Sequence, residues 1–383
     1  MAKKKRYTKK WSCVLCGRTI HSFETDCVVG STGRMVCGSC LGISRRLDGG
    51  KPPSSAEAAK VRAAQERIRT PKELMRELDK AIIGQAQAKQ AVAVALWKQQ
   101  LRASGERLLP RMNLLLYGPT GCGKTAIVRE AAQLAELPFL TCDATALTET
   151  GYRGKDATDL LKDLAARYEN HDRLPFSVLF LDECDKLAAQ GGDYRQAYNR
   201  GTQHTLLKLV EGTEVDYGSR IISSEQMLFL FGGAFSRLEL PSRRSAAPIG
   251  FHREEAVEEE PSQRDDALMS AFVSYGMEPE LMGRVGRFVA VEQLEAEELK
   301  QILLHSTLSA LRQYQTFFKA QQITFQVSDT GLDALVQSAL HRKTGARGLN
   351  ALVEELVEPW LLRFANGELK GETQIEVDYE PCG

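Results

Sequence analysis

Two stretches of the sequence carry residue types that could handle a phosphate. In "LLLYGPTGCGKTAIVREAA", beginning at Leu114, an apolar run meets G-x-x-x-x-G-K-T and then a helical pattern. Gly118, Gly121 and Gly123 would let backbone N–H groups wrap phosphate oxygens, with Pro119, Thr120, Cys122 and Ala126 completing the loop. Lys124 would reach the β and γ oxygens, Thr125 would offer its hydroxyl to Mg²⁺, and the following helix would add its N-terminal dipole. The Cys122 thiol is expected to be inert.

In "SVLFLDECDK" a buried strand ends on two acids. Asp182 is placed to hold Mg²⁺ through water, and Glu183 to polarise the attacking water as general base. Adjacent acids at a strand end can merely cap the next helix. With the glycine-rich loop upstream, ATP hydrolysis is the expected chemistry.

A third group of residues has metal-ligand spacing. Cys13 and Cys16, then Cys37 and Cys40, form two Cys-x-x-Cys pairs separated by a spacing that suits a tetrahedral zinc site. A segment this short cannot bury enough surface to fold unaided, and bound zinc supplies on the order of 10 kcal/mol. Four thiolates close the coordination shell, so the metal is expected to be structural. Cys27 and His21 lie between the pairs and are read as bystanders.

The elements that must position these groups follow from the pattern of apolar runs. Met112–Tyr117, Phe139–Cys142, Val178–Leu181 and Met227–Phe231 are short and continuous, and helical patterns separate them. That arrangement predicts an α/β fold, a parallel sheet covered on both faces. "TPKEL" predicts a helix start, with Thr70 as N-cap, Pro71 at the first position and Glu73 closing a capping box. After residue 290 the pattern turns to amphipathic helices around short strands at Ile323–Val327 and Gln374–Val377, a smaller α+β domain. Residues 1–45 read as the zinc-binding module, 46–69 as a polar linker, 70–288 as the large nucleotide-binding domain and 289–383 as the small one.

The totals narrow the function. Of 383 residues 43% are apolar, ample for several cores, while Lys plus Arg and Asp plus Glu both count 50. Zero net charge argues against a protein that holds nucleic acid by its backbone; the basic "KKKRYTKK" reads as a solvated tail. No run is long and apolar enough to span a membrane, and the N-terminus resembles neither a signal nor a transit sequence, so a cytoplasmic protein is expected.

Two arginines stand in longer motifs: Arg284 in "PELMGRVGRF" and Arg347 in "RKTGARGL". Taken singly, each reads as surface charge. Together with "IIGQAQAKQAVAVAL", "GPTGCGKT", "DATALTETGYRGKD", "LLKLVEGT" and "FGGAFSRLE", they occur in the order and spacing of the ClpX family, which the chain resembles from about residue 11 to 378. The resemblance implies an AAA+ P-loop ATPase that assembles as a homohexameric ring, unfolds proteins and feeds them to a ClpP-type peptidase. It implies that Arg284 is an arginine finger for the neighbouring subunit and that Arg347 reports nucleotide state to the small domain, with a hinge near Phe288–Val291. It implies that Ile83, Gly84 and Gln85 contact the adenine. Protein substrates, and adaptors, are the partners expected for the zinc module.

Tyr152, in "GYRG", matches the family's pore loop, which grips polypeptide by bulk. Arg153 departs from the family, where an aliphatic residue usually follows the aromatic. A ring of arginines on the axis would favour acidic or carboxylate-bearing segments. The connection "EVDYGSRIISSEQ" is shorter than the family's basic second pore loop, and Arg220 is its one cation. In the charged segment "RRSAAPIGFHREEAVEEEP", Ile249, Gly250 and Phe251 match the loop that plugs into the peptidase. Exposed apolar residues are tolerable there because weak contacts repeated around a ring reinforce one another. Rival readings are the same motor acting alone as a remodelling chaperone, and a nucleic-acid-handling AAA+ loader with the zinc module as DNA reader.

Overall fold

The computed structural model describes residues 68–379 except 107–108, 148–156, 170, 190–192, 219, 240–260 and 343, together with four short strands nearer the N-terminus. The chain divides into two compact units, Met1–Glu66 and Arg67–Gly383. In the first, β1 (Trp11–Ser12) pairs antiparallel with β2 (Thr19–Ile20), and β3 (Cys27–Val29) with β4 (Met35–Cys37). Cys37 closes β4, and Cys27, expected as a bystander, is its cross-strand partner in register. Cys13, Cys16 and Cys40 lie outside the described residues.

The second unit opens with α1 (Pro71–Ala81), whose capping box is formed as expected. Glu73 N–H donates to Thr70 Oγ1 at 3.3 Å, and Thr70 N–H donates to Glu73 Oε2 at 2.7 Å. Next come α2 (Ala86–Ala103), β5 (Leu114–Tyr117), α3 (Lys124–Leu134), β6 (Phe139–Asp143), α4 (Ala157–Arg167) and β7 (Val178–Asp182). A long helix, α5 (Asp193–Gly212), leads through a hairpin of β8 (Glu214–Tyr217) and β9 (Arg220–Ser223) to β10 (Leu228–Gly233). Helices α6 (Pro261–Tyr275) and α7 (Pro279–Val285) then precede β11 (Phe288–Ala290).

Strands β11, β5, β10, β7 and β6 stand in that order in one five-stranded sheet, and every neighbouring pair is parallel. Alternate residues of each strand serve opposite faces. Leu114, Leu116, Phe180, Leu228 and Leu230 face one core, shared with α1, α2 and α3. Leu115, Leu179, Leu181, Phe229 and Phe231 face the other, shared with α4 to α7. Burial on both faces is why these strands read as unbroken apolar runs. The segment expected as a hinge contains the fifth strand: β11 pairs with β5, and Val291 N–H donates to Tyr117 O at 2.7 Å.

The chain ends in α8 (Ala296–His305), α9 (Ala310–Ala320), β12 (Thr324–Val327), α10 (Asp329–His341), α11 (Gly345–Ala365) and β13 (Gln374–Val377), with β12 and β13 parallel. Its apolar residues, including Leu303, Phe318, Leu335 and Val353, continue the core of α1 to α3.

Candidate nucleotide site

The loop between β5 and α3 sits at the carboxyl end of the sheet, where α/β folds leave a ligand crevice. Two of its glycines are fixed by close approach of more C-terminal backbone. Gly118 has φ 146°, and a Cβ there would lie 2.0 Å from Val291 O. Gly121 has φ 79°, and its Cβ would lie 2.0 Å from Thr344 O; Gly121 O in turn accepts from Ala346 N–H at 3.0 Å. Lys124, the first residue of α3, is only 7% exposed. Its Nζ donates to Gly118 O and Pro119 O, both at 2.7 Å, so the ammonium closes over its own loop. Burial lowers its pKa, and the Arg347 charge pushes the same way, against Asp182, Cys122 and Asp185. A desolvated cation held only by carbonyls is a ready partner for phosphate oxygens. Cys122 is buried, and burial raises its pKa, which disfavours the reactive thiolate.

Beside this loop β7 ends on Asp182, between Asp143 of β6 and the glycines that end β10. Asp182 Oδ2 accepts from Thr125 Oγ1 at 2.6 Å, and Oδ1 accepts from Glu183 N–H at 2.9 Å. Gly232 leaves room for the carboxylate, since a Cβ there would come within 2.9 Å of Asp182 Oδ1. A hydroxyl and a carboxylate in contact fit the oxygen donors that Mg²⁺ takes while keeping several waters. Glu183 sits in the left-handed region at φ 58°, an uncommon backbone for a non-glycine residue, and its carboxylate is paired with Lys186. The short 3-10 turn Cys184–Leu187 follows directly.

Ile83, Gly84 and Gln85 lie between α1 and α2 and are tied to the stretch after β11. Gln85, 8% exposed at φ 55°, donates from Nε2 to Glu292 O at 2.9 Å and accepts from Glu292 N–H at 3.0 Å. Gly84 has φ 67°, and its Cβ would meet Glu298 Oε1 at 2.4 Å; Ile83 is half-buried. Arg347 stands exposed in the first turn of α11, next to the Ala346 amide that binds the loop.

Arg284 is placed elsewhere. It stands exposed in the last turn of α7, and its Nη2 donates to Glu211 Oε1 at 2.6 Å. Its carbonyl accepts from Asn113 Nδ2 at 2.9 Å, immediately before β5. Gly118 follows the other end of that strand. A four-residue strand spans more than about 10 Å, so Arg284 lies at the amino end of the strands, opposite the end that carries the loop. The structure therefore brings Lys124, Thr125, Asp182, Glu183 and Arg347 together within the chain, and leaves Arg284 apart.

The shortened connection after α5 is the β8–β9 hairpin. Arg220, its single cation, donates from Nη1 to Glu169 O at 2.7 Å just beyond α4, while Glu214, Asp216 and Ile221 are exposed. Tyr152, Arg153, Ile249, Gly250 and Phe251 lie outside the described residues. Sequence reasoning passed over Asp185, whose Oδ1 accepts from Ala234 N–H at 3.0 Å, and the buried amides Asn199 and Gln203 on α5. Their partners are backbone groups, which leave no mark in a residue pattern. Among the described residues, no helix is long and apolar enough to cross a membrane.

Residues 109–288 match the AAA domain (Cdc48 subfamily), and residues 294–377 match the C-terminal, D2-small domain, of ClpB protein. The ATP-dependent Clp protease ATP-binding subunit ClpX of Azotobacter vinelandii is 30% identical, over 98% of this chain and 91% of its own length. The proteins of the same name from Treponema denticola and Borrelia duttonii are 31% and 32% identical, over 97% and 90% of this chain and 94% and 85% of theirs.

Proposed function

The chain belongs to the ClpX family of AAA+ ATPases, and on that premise we propose that it is an ATP-driven protein unfoldase that works as a ring and feeds a ClpP-type peptidase. ATP hydrolysis itself comes with membership of the family. In this reading Lys124 and the loop amides bind the triphosphate, and Thr125 and Asp182 hold Mg²⁺, which when bound neutralises charge on the phosphates. Glu183 takes the proton of the attacking water. Arg347 senses the phosphates from α11, and Ile83, Gly84 and Gln85 line the adenine.

One observation carries the assembly: the arginine of the family's finger motif is at the opposite end of the strands from its own nucleotide loop. A finger there can serve only a neighbouring copy, and closed rings are how identical head-to-tail contacts terminate. A hexamer is the ring the family name suggests. Such a finger contributes ~10³ or more in rate, which couples hydrolysis to assembly.

The domain boundaries follow the sequence reading, with a zinc module over 1–45, a linker to 69, the large domain to 288 and the small one to 383. Zinc on Cys13, Cys16, Cys37 and Cys40 is supported by the strands of the first unit. β1 ends at Ser12, directly before the first pair, and Cys37 closes β4, so each pair starts at a hairpin end. Tyr152 and Arg153 grip the polypeptide, and Ile249, Gly250 and Phe251 dock the peptidase. The hairpin carries Arg220 as its single basic group, with Nη1 donating to the Glu169 carbonyl, where the family carries a basic loop, so degradation tags read by that loop are not expected to be read here. A cytoplasmic protein suits the absence of any spanning helix among the described residues.

The test follows loss of a stably folded, tagged fluorescent protein in the presence of ATP, Mg²⁺ and the host's ClpP-type peptidase. Unfolding with peptide release, abolished by Glu183→Gln and with release alone abolished by Phe251→Ala, is expected. Unfolding indifferent to Phe251 would leave a chaperone that acts alone, and DNA-stimulated hydrolysis without unfolding would favour the loader.

A further inference from the structure

Gln203 is fully buried in the middle of α5, and every hydrogen-bonding group of its side-chain amide is engaged by backbone. Nε2 donates to Leu187 O at 2.7 Å and to Gly276 O at 3.2 Å, and Oε1 accepts from Glu278 N–H at 2.7 Å. Leu187 ends the turn that begins one residue after Glu183. Gly276 and Glu278 are the last residues before α7, and Glu278 is its N-cap. One amide thus spans the hydrolytic turn and the helix that carries Arg284.

Its surroundings make this a rigid strut. One helical turn earlier, on the same face of α5, Asn199 Nδ2 donates to Lys186 O at 3.2 Å and Ala188 O at 2.9 Å. Ala189 N–H donates to Gly276 O at 2.8 Å, and Gly276, at φ 111°, could not carry a Cβ without meeting Ala189 N at 2.9 Å. The acidic turn is therefore held by Asn199 independently, whereas the start of α7 is held by Gln203, by the Gly276 clip and by the ion pair of Arg200 Nε with Glu278 Oε1 at 3.5 Å. At the far end of α7, Arg284 rests on Glu211, the next-to-last residue of α5. That pair is solvent-exposed and weak, and cannot alone fix the guanidinium. A buried, fully satisfied amide can fix the helix beneath it.

We propose that Gln203 is a positioning residue for the arginine finger: it joins the turn after Glu183 to the first residues of α7, so that the hydrolysis site of one copy sets the placement of the Arg284 that this copy offers to its neighbour. The inference rests on the reading of Arg284 as a finger in trans. Gln203 touches no nucleotide group; it acts through α7, and misplacement of a catalytic group by 1 Å can cost ~10²-fold in rate.

Mixed rings of the full-length chain separate the alternatives. A Glu183→Gln chain keeps its finger but cannot hydrolyse, and an Arg284→Ala chain hydrolyses but has no finger. Mixed equally, they should recover about a quarter of the wild-type ATPase rate, since half the positions hydrolyse and half of those meet a finger. Gln203→Met is then added to one chain or the other. Added to the finger-donating chain, it should cut the recovered rate by about tenfold or more; added to the hydrolysing chain, it should change it by less than about twofold, because Asn199 still holds the acidic turn.

Glu278→Pro is read alongside, because it deletes the same bond from the other side at a φ of −68° that already suits proline, and Glu278→Ala, which keeps the N–H but loses the ion pair with Arg200, is its control. Gln203→Met and Glu278→Pro must both show the asymmetry, and Glu278→Ala must not, with nucleotide binding and ring size unchanged. Equal loss from either chain makes Gln203 a packing residue, and loss only from the hydrolysing chain makes it a support of its own acidic turn; either overturns the inference. No recovery in the reference mixture overturns the trans finger itself, and the inference with it.

Discussion

Gly121→Ala and Gly123→Ala form a matched pair, because both glycines sit in the left-handed region, at φ 79° and 95°. An alanine at either costs roughly 1–2 kcal/mol for that backbone alone. Their surroundings differ. Nothing lies within 4 Å of a Cβ at 123, whereas at 121 it would stand 2.0 Å from Thr344 O and 2.8 Å from Thr344 C. Backbone cannot swing aside as a side chain can, so Thr344 must retreat by more than about 1 Å to reach ordinary contact. Its retreat breaks the bond from Ala346 N–H to Gly121 O, a further loss of about 0.5–1.5 kcal/mol. In nucleotide-free protein, where no phosphate competes for the space around Gly123, denaturant melts should rank Gly121→Ala below Gly123→Ala by that margin. Amide exchange at Ala346 should speed up by roughly an order of magnitude in Gly121→Ala and stay unchanged in Gly123→Ala. Equal destabilisation by the two, or an Ala346 amide that ignores position 121, would refute the reasoning that the nucleotide loop and the start of α11 are held together at this point.

Lys124 gives a pH signature. Burial places its folded pKa below 10.5, so just below pH 10.5 the unfolded chain binds more protons and stability without nucleotide rises with pH. A bound triphosphate restores the charge, so ATP binding in that window should take up protons, seen as heats that vary with buffer ionisation and vanish in Lys124→Met. Elemental analysis should find about one zinc per chain, lost in Cys37→Ser, while basal ATPase activity stays intact because a closed four-thiolate shell supplies no catalytic position.

The parts legible in the sequence are those where one requirement dictates the residue type. β5, β7 and β10 were readable because burial on both faces demands unbroken apolar runs. Lys124, Thr125, Asp182 and Glu183 stand out as candidates because phosphate and metal chemistry admit few substitutes, and the fold gathers them at one end of the sheet. β11 has only three residues and draws its definition from pairing with β5, so its sequence looked like a connection. The β8–β9 hairpin escaped because its eight residues mix exposed and buried positions, and its turn rests on Gly218 at φ 61°. Gln85 and Gln203 were silent for a different reason. Each satisfies backbone groups that any residue would present, so the need for an amide exists only after the chain has folded.

Several close contacts around the nucleotide loop come from chain far downstream. Val291 confines Gly118, Thr344 and Ala346 confine Gly121, and Glu292 holds Gln85. The loop is therefore a bearing surface for the C-terminal part of the chain, and an event at the phosphates has to be felt there. Helix α5 runs from the acidic turn, held by Asn199 and Gln203, to Arg284, which rests on Glu211. If Arg284 serves the neighbouring site as proposed, a single helix grips both the place where ATP is cut and the group that helps cut it next door, which gives neighbouring copies a mechanical link. Loosening the grip on α7 should then lower hydrolysis in the neighbouring copy.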